Sequence, residues 1–327
     1  MNNGRRRLTD ADIANELEQR VTSGLIHESN LEKARGKGSR RDQIGAQAFS
    51  TLALIARVIP RSTGYSLFSA LAQLLFTIIP IIRRSVEGRL RLAFPAASIS
   101  DLRNTRRQVA RQFGKTAFEL LDDHRFSECL LDRVTIEGQE NVDLAISEGR
   151  PIILVHAHQA NWEIMLDLGE KVTRNSLCAL YSPLAIPSIQ RRQLHRRTRN
   201  GSRFYPRSAR MSVGYVRRDM LSGHALIVAL DQRASNTYAP FFGRPARSTI
   251  IPLKLGARLG AHILPLDLRR KANDGHFHLT IHPNLFMPGD DKDLEAVLSR
   301  YNSLLERWIR ERPADWFWLH DRWGDGR

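Results

Sequence analysis

The stretch Ile152-Ile153-Leu154-Val155-His156-Ala157-His158-Gln159-Ala160-Asn161-Trp162-Glu163 decides how this chain is read. Four apolar residues in succession suit a strand buried on both faces. Polar side chains crowd the positions immediately after it. In an open α/β sheet, ligands bind in the crevice beyond the carboxyl ends of the strands. The stretch therefore predicts a strand and, at its end, a site.

Working outward, similar apolar runs occur at Val134–Glu137, Leu177–Tyr181, Ala225–Leu230 and Ile263–Leu266. Ile189–Thr198 and Thr249–Leu259 can form the helices between them. Alternation of strand and helix predicts an α/β fold, a mixed sheet flanked by helices. His276–His282 alternates, with Phe277, Leu279 and Ile281 on one face, as a half-exposed strand does. Asp290–Arg312 reads as a final amphipathic helix stopped near Pro313. No repeat and no domain break appears after residue 46.

The amino-terminal part differs. Residues 1–45 are polar and basic, from Arg5-Arg6-Arg7 to Arg40-Arg41, and read as a flexible extension or tether. Asp10–Leu31 can form a helix, while Gly36, Gly38 and Ser39 read as a joint. The basic start runs into no apolar stretch, unlike a secretory signal. Residues 46–90 form a membrane-associated helical segment, and 91–327 the α/β domain. Ser62–Ile82 carries no formal charge over 21 residues, between Arg61 and Arg83-Arg84. That length reaches across a bilayer core. Ser66, Ser69, Gln73, Thr77 and Pro80 leave a spanning helix, an in-plane anchor and a buried amphipathic helix all open.

Composition narrows the partners. Among 327 residues, 50 Lys and Arg face 34 Asp and Glu, a formal charge of +16, and 43 of the 50 are arginine. The planar guanidinium suits phosphate and carboxylate. Nucleic acid, an anionic membrane, a phosphorylated substrate and an acidic carrier protein all qualify by charge. The densest part is acid-free: Lys171–Arg218 has no Asp or Glu, and Arg191–Arg218 holds ten arginines. No nucleic-acid module and few stacking aromatics accompany them, so nucleic acid is not an expected partner. Cys129 and Cys178 make neither a disulfide framework nor a thiolate zinc site.

For chemistry, His158 with Glu163 five residues on can form a general base and its orienting carboxylate. A neutral imidazole accepts a hydroxyl proton near pH 7. A structural His–Glu hydrogen bond is the plainer reading. His156 and His158 invite a metal, but no further spaced ligand supports one, and none is expected. The absence of G-x-S-x-G, Walker and G-x-G-x-x-G patterns disfavours serine hydrolases, P-loop enzymes and dinucleotide oxidoreductases. Asp231-Gln232 again puts polar groups at the end of an apolar run. Pro240 and Gly243 enclose Phe241-Phe242 in a tight loop, either an apolar wall for a lipid chain or plain core.

Together these pieces resemble the lysophospholipid acyltransferase superfamily, and more narrowly the bacterial late acyltransferases of lipid A biosynthesis, the lauroyl/myristoyl acyltransferase family. His158-Gln-Ala-Asn-Trp-Glu163 matches the H-x-G-N-W-E hallmark with Ala160 in place of glycine. Arg89–Pro95 is similar to the R-x-N-L-x-x-x-F-P segment without its asparagine. Gly138-Gln-Glu-Asn141, Gly149-Arg150 and Tyr181-Ser-Pro-Leu184 resemble the segments around the catalytic strand. Gly201–Arg207 resembles the phosphate-binding G-x-x-F-[IV]-x-R block, with Tyr205 as the departure. Asp231-Gln232 with Phe241-Phe242-Gly243 and Pro245-Ala246, then Pro265, then Glu306 to Trp323, complete an ordered set over about residues 55–323.

The resemblance implies a glycerolipid-acyltransferase-like fold with an amino-terminal membrane-associated helix, working without cofactor or metal at the cytoplasmic face of a bacterial inner membrane. It implies transfer of a fatty acyl chain from a thioester of acyl carrier protein, an acidic partner, to a hydroxyl of a phosphorylated glycolipid of the lipid A precursor type. His158 and Glu163 would be catalytic; Asn161, Trp162, Arg207, Asp231 and Gln232 would bind substrate or support the dyad. A lysophospholipid, glycolipid or amino-lipid acyltransferase of the same superfamily, and a non-catalytic basic protein of the membrane surface, remain alternatives.

Overall fold

The computed structural model describes residues 10–22, 26, 40–122, 131–182, 186–207, 211–233, 237–271, 275–287 and 289–324. Arg5-Arg6-Arg7, the joint at Gly36–Ser39, Cys129 and Pro183-Leu184 lie outside them. In chain order come α1 (Asp10–Thr22), α2 (Arg40–Val58), α3 (Arg61–Ile78), α4 (Pro80–Ala93) and α5 (Ile99–Leu121). Then follow β1 (Val134–Glu137), α6 (Gln139–Ser147), β2 (Ile152–His156), α7 (Met165–Thr173), β3 (Leu177–Tyr181), α8 (Pro187–Arg197), β4 (Arg203–Pro206), α9 (Ser212–Leu221) and β5 (Ala225–Ala229). The hairpin β6 (Thr237–Phe241) and β7 (Arg244–Ser248) precedes α10 (Ile251–Leu259), β8 (His262–Lys271), β9 (His276–Ile281) and α11 (Leu294–Glu311). The fold is α/β, as expected.

Two compact units divide the chain: Met1–Leu52 with Gly169–Ile227, and Ala53–Leu168 with Val228–Arg327. The strand order is β1-β9-β8-β2 in the larger unit and β5-β3-β4 in the smaller, the last residues of β5 belonging to the larger unit. In the larger unit β2 pairs with β8 in parallel, from Ile152 opposite His262 to His156 opposite Leu266. β8 and β9 form the antiparallel hairpin, and β9 pairs with β1 in parallel. Residues Ile152 to Val155 are all buried, which is why they show no alternation. On β9, Phe277, Leu279 and Ile281 are buried on one face, as the alternation predicts. α11 buries Val297, Leu298, Tyr301, Leu305, Trp308 and Ile309 at helical spacing.

The uncharged stretch Ser62–Ile82 is not one helix. Pro80 has no N–H to donate, and residues before proline avoid the α region. Ile79 is accordingly extended and α4 begins at Pro80. α3 and α4 meet at 90°, and no single described helix is long and apolar enough to cross a membrane. α3 buries Gly64, Tyr65, Ser69, Ala72 and Phe76. At Gly114 of α5 a Cβ would lie 2.3 Å from the Phe68 carbonyl, so glycine permits the close approach of α3 and α5. The other face of α3 exposes Leu67, Leu71, Leu74, Leu75 and Ile78.

In the smaller unit β3 pairs with β4 and β5 in parallel. Asp10–Thr22, within the stretch Asp10–Leu31 that can form a helix by its sequence, is a helix packed on α8. Glu16 Oε2 lies 2.7 Å from His195 Nε2. Arg20 donates to the His195 carbonyl at 2.7 Å and to Thr198 Oγ1 at 2.6 Å. Leu17 is fully buried, and Ile26 bridges to Phe204. A helix with one apolar stripe acquires a fixed position once another element covers that stripe.

Candidate active site

β2 and β5 are neighbours in the sheet, and the Leu230 N–H donates to the His156 carbonyl at 3.1 Å. The carboxyl ends of two buried strands are thereby held side by side, and the residues just beyond them meet. His158 Nδ1 is 2.7 Å from Asp231 Oδ1. Its backbone N–H donates to Asp231 Oδ2 at 2.9 Å, and Trp316 Nε1–H donates to the same oxygen at 2.9 Å. The His158 side chain is 17% exposed and that of Asp231 3%. Burial alone would raise the Asp231 carboxyl; the His158 charge and these three hydrogen bonds more than reverse that, holding it well below the usual carboxylate range. An ionised acceptor on Nδ1 keeps the proton there and leaves the lone pair on Nε2. The amide Nε2 of Gln232 lies 3.1 Å from that atom.

The turn after His158 is held from several sides. Ala160 has φ 47°, a left-handed conformation that costs an L side chain about 1 kcal/mol. Its N–H donates to the Asp315 carbonyl at 2.9 Å, and its carbonyl accepts from Thr116 Oγ1 at 3.0 Å. Phe317 N–H donates to the His158 carbonyl at 2.9 Å. Asn161 caps the following 3-10 turn, its side-chain oxygen accepting the Glu163 N–H at 3.2 Å. Trp162 lies with its ring centroid 5.5 Å from His158 and 5.1 Å from Phe317. A narrow apolar crevice lined by Phe76, Phe113, Ala160, Trp162, Phe317 and Leu319 adjoins the turn.

The carboxylate on Nδ1 is that of Asp231, a residue expected from the family resemblance to line the acceptor or support the dyad. Glu163 is half-buried, near enough to act electrostatically on His156. His156 is lowered to about 4 by burial first and the His158 charge second. Among the described residues, no three His, Cys, Asp or Glu side chains are grouped to hold a metal.

Arg207 belongs to the smaller unit, exposed at the end of β4, with its N–H on the Tyr181 carbonyl at 3.0 Å. Tyr205, the departure in that block, is accounted for: its hydroxyl donates to buried Asp219 at 2.6 Å, beside Arg203 Nη1 at 2.6 Å. Part of the arginine-rich window is therefore structural. Phe241 and Phe242 form no free wall. They are buried at a β-hairpin turn, Phe241 being within 5.7 Å of Trp316 and 5.5 Å of Trp323.

Trp316 and Arg322 escaped the sequence reading as site residues. Arg322 is fully buried and donates to the carbonyls of Gln232 and Arg247, to Ser248 Oγ at 2.7 Å and to Asn302 Oδ1 at 3.2 Å. Pairing both terminal nitrogens offsets much of the cost of burying this guanidinium. The aromatic-rich carboxyl terminus was the available signal, but nothing local tells which ring reaches a carboxylate 85 residues away.

An α/β sheet with a histidine–carboxylate pair beyond the carboxyl ends of adjacent strands defines the class. Within it, the chain belongs to the bacterial lipid A biosynthesis acyltransferase family, whose sequence model matches residues 43–325. It is 28% identical over 196 residues to the lipid A biosynthesis palmitoleoyltransferase of Escherichia coli (strain K12), covering 57% of this chain and 60% of the relative. It is 24% identical over 205 residues to the phosphatidylinositol mannoside acyltransferase of Mycobacterium tuberculosis (strain ATCC 25618 / H37Rv), covering 62% and 63%. The matches span about three fifths of the length of these relatives.

Proposed function

We propose that the protein is a membrane-associated O-acyltransferase that moves a fatty acyl chain from a thioester, carried by acyl carrier protein, to a hydroxyl of a phosphorylated glycolipid of the lipid A precursor type. The observation that carries this reading is the pairing of His158 Nδ1 with ionised Asp231, which makes Nε2 a general base. The acceptor hydroxyl displaces the Gln232 amide from Nε2 and gives up its proton there. Its oxygen attacks the thioester carbonyl, the tetrahedral adduct collapses, and the carbon–sulfur bond breaks. The departing thiolate takes the proton back from the imidazolium, so His158 ends neutral. Asp231 stabilises the imidazolium between these steps, and general-base help of this kind contributes about 10²–10⁴ in rate.

Glu163 supplies a second carboxylate at the same turn and completes the motif dyad. Asn161 and Trp162 shape the site beside His158. Arg207 takes phosphate from the acceptor. The names of both relatives, one acting in lipid A biosynthesis and one on a mannoside of phosphatidylinositol, support a glycolipid acceptor.

The exposed leucines of α3, with Ile81 at the start of α4 and Val58 at the end of α2, support an enzyme lying in the plane of the cytoplasmic face of the inner membrane. Arg83 and Arg84 next to them suit anionic headgroups. The test is acyl transfer by folded His158→Ala and Glu163→Ala proteins with acyl carrier donor and lipid acceptor, alongside lipid mass spectrometry of a deletion strain. Loss of transfer and of one acyl chain from a glycolipid is expected. Undiminished transfer in either variant refutes the role assigned to that residue.

A further inference from the structure

Glu119 lies in no motif, yet its carboxylate accepts hydrogen bonds from three side chains, Tyr65, Asn161 and Arg270. It sits two residues before the end of α5, and its side chain and that of Arg270, late in β8, are each 1% exposed. Arg270 approaches it fork to fork: Nη1 on Oε1, and Nη2 on Oε2 at 2.9 Å. Arg270 also donates from Nη2 to Thr116 Oγ1 at 3.3 Å and from Nε to Gln112 Oε1 at 3.1 Å. The carboxylate accepts two further bonds, from the Tyr65 hydroxyl at 2.6 Å and from Asn161 Nδ2 at 2.9 Å.

Buried ion pairs are weak stabilisers, because desolvation offsets most of their attraction and apolar residues of the same shape often do as well. What distinguishes this pair is where its bonds lead. One arm runs through Asn161, whose oxygen holds the Glu163 N–H. The other runs through Thr116, whose hydroxyl holds the carbonyl of Ala160. Both arms end on the turn between His158 and Glu163, at the residue in left-handed conformation and the one after it. That turn costs energy to form and is held by partners from α3, α5 and β8.

We propose that Glu119 and Arg270 are positioning residues for acyl transfer, a buried clamp that sets the Ala160–Glu163 turn and with it the presentation of His158. The proposal rests on the function argued above. Glu119→Gln keeps the shape but turns one acceptor oxygen into a donor facing Arg270, Tyr65 or Asn161. A small misplacement of a catalytic group costs up to about 10²-fold.

The experiment is a double-mutant cycle on the full chain with Glu119→Gln and Asn161→Ala, reading kcat, KM and Tm. Expected is a 10- to 100-fold loss in kcat for each, KM within about twofold, and a double variant no worse than the worse single. Losses that multiply overturn the clamp. A Glu119→Leu/Arg270→Met variant removes both buried charges together and guards against simple unfolding. It is expected to fold and remain slow, and recovery of full kcat would reduce the pair to scaffolding.

The downfield proton resonance of His158 Nδ1–H on Asp231 needs no substrate. It should move in Glu119→Gln, and an unmoved resonance overturns the proposal even if the acceptor has been misassigned. His158→Ala in the same assay tests the parent function separately, since transfer surviving there refutes that reading whatever Glu119 does.

Discussion

His158 and Asp231 stand 73 residues apart in the chain and 2.7 Å apart in space, Nδ1 against Oδ1. The carboxylate takes both the ring and the backbone N–H of the same histidine, together with the indole N–H of Trp316. An imidazole gripped at two points has one tautomer and one direction.

Asp231→Asn tests that grip. An amide can donate to Nδ1, which moves the ring proton to Nε2 and removes the lone pair that accepts the hydroxyl proton. Transfer should fall about 10²- to 10⁴-fold with little change in KM, measured by steady-state kinetics on protein of unchanged circular dichroism. A kcat within twofold of the parent refutes the orienting role.

Stability should fall with acid in a defined window. His156 is lowered from its ordinary 6.5 to about 4 by burial first, and His320, whose ring nitrogen accepts the Arg233 N–H, likewise to about 4 by burial first. Between those values the unfolded chain binds protons that the folded chain does not, so stability declines as pH drops from 6.5 towards 4. Asp231, held low, keeps its contribution through this window and loses it only in stronger acid. Thermal melts across pH 4–7 should show the slope, and His156→Phe should flatten part of it.

Ala160 stands where the hallmark has glycine. Ala160→Gly relieves about 1 kcal/mol of left-handed strain and gives up about 0.8 kcal/mol of buried methyl. Melting temperature and kcat should therefore both stay close to the parent values. Ala160→Val puts a β-branched side chain at φ 47° and should cost folding or activity outright. An inactive Ala160→Gly protein would contradict this account of the turn.

The exposed face of α3 should govern membrane attachment without governing the fold. Leu71→Glu with Leu75→Glu changes two solvent-facing residues. Co-sedimentation with vesicles of anionic phospholipid should drop severalfold while the melting temperature holds. Unchanged sedimentation would separate the α3 face from attachment.

Leu17→Asp probes the docked helix α1. Burying a carboxylate in place of a leucine costs several kcal/mol, so α1 should detach from α8. Protease cleavage within α1 and faster amide exchange over α8 are the expected readouts. Protection equal to the parent would show that Leu17 does not hold the contact.

Much of the sheet was legible because a strand covered on both faces must be continuously apolar, and β2, β3 and β5 each announce themselves so. β4 was not, since Arg203-Phe204-Tyr205-Pro206 reads as polar until Asp219 is seen beneath it. The break between α3 and α4 was written in Pro80, yet charge counting over Ser62–Ile82 concealed it.

By itself the sequence determined the α/β class, the family resemblance and the placing of His158 just beyond the end of β2. Those depend on composition over a few adjacent residues. Only the tertiary structure decided which carboxylate holds His158 and that Glu119 and Arg270 lie behind the turn. It also showed that Trp316 closes on Asp231 and that α1 lies against α8. Each is a contact between residues far apart in the chain, and local periodicity carries no information about partners that only chain folding brings together.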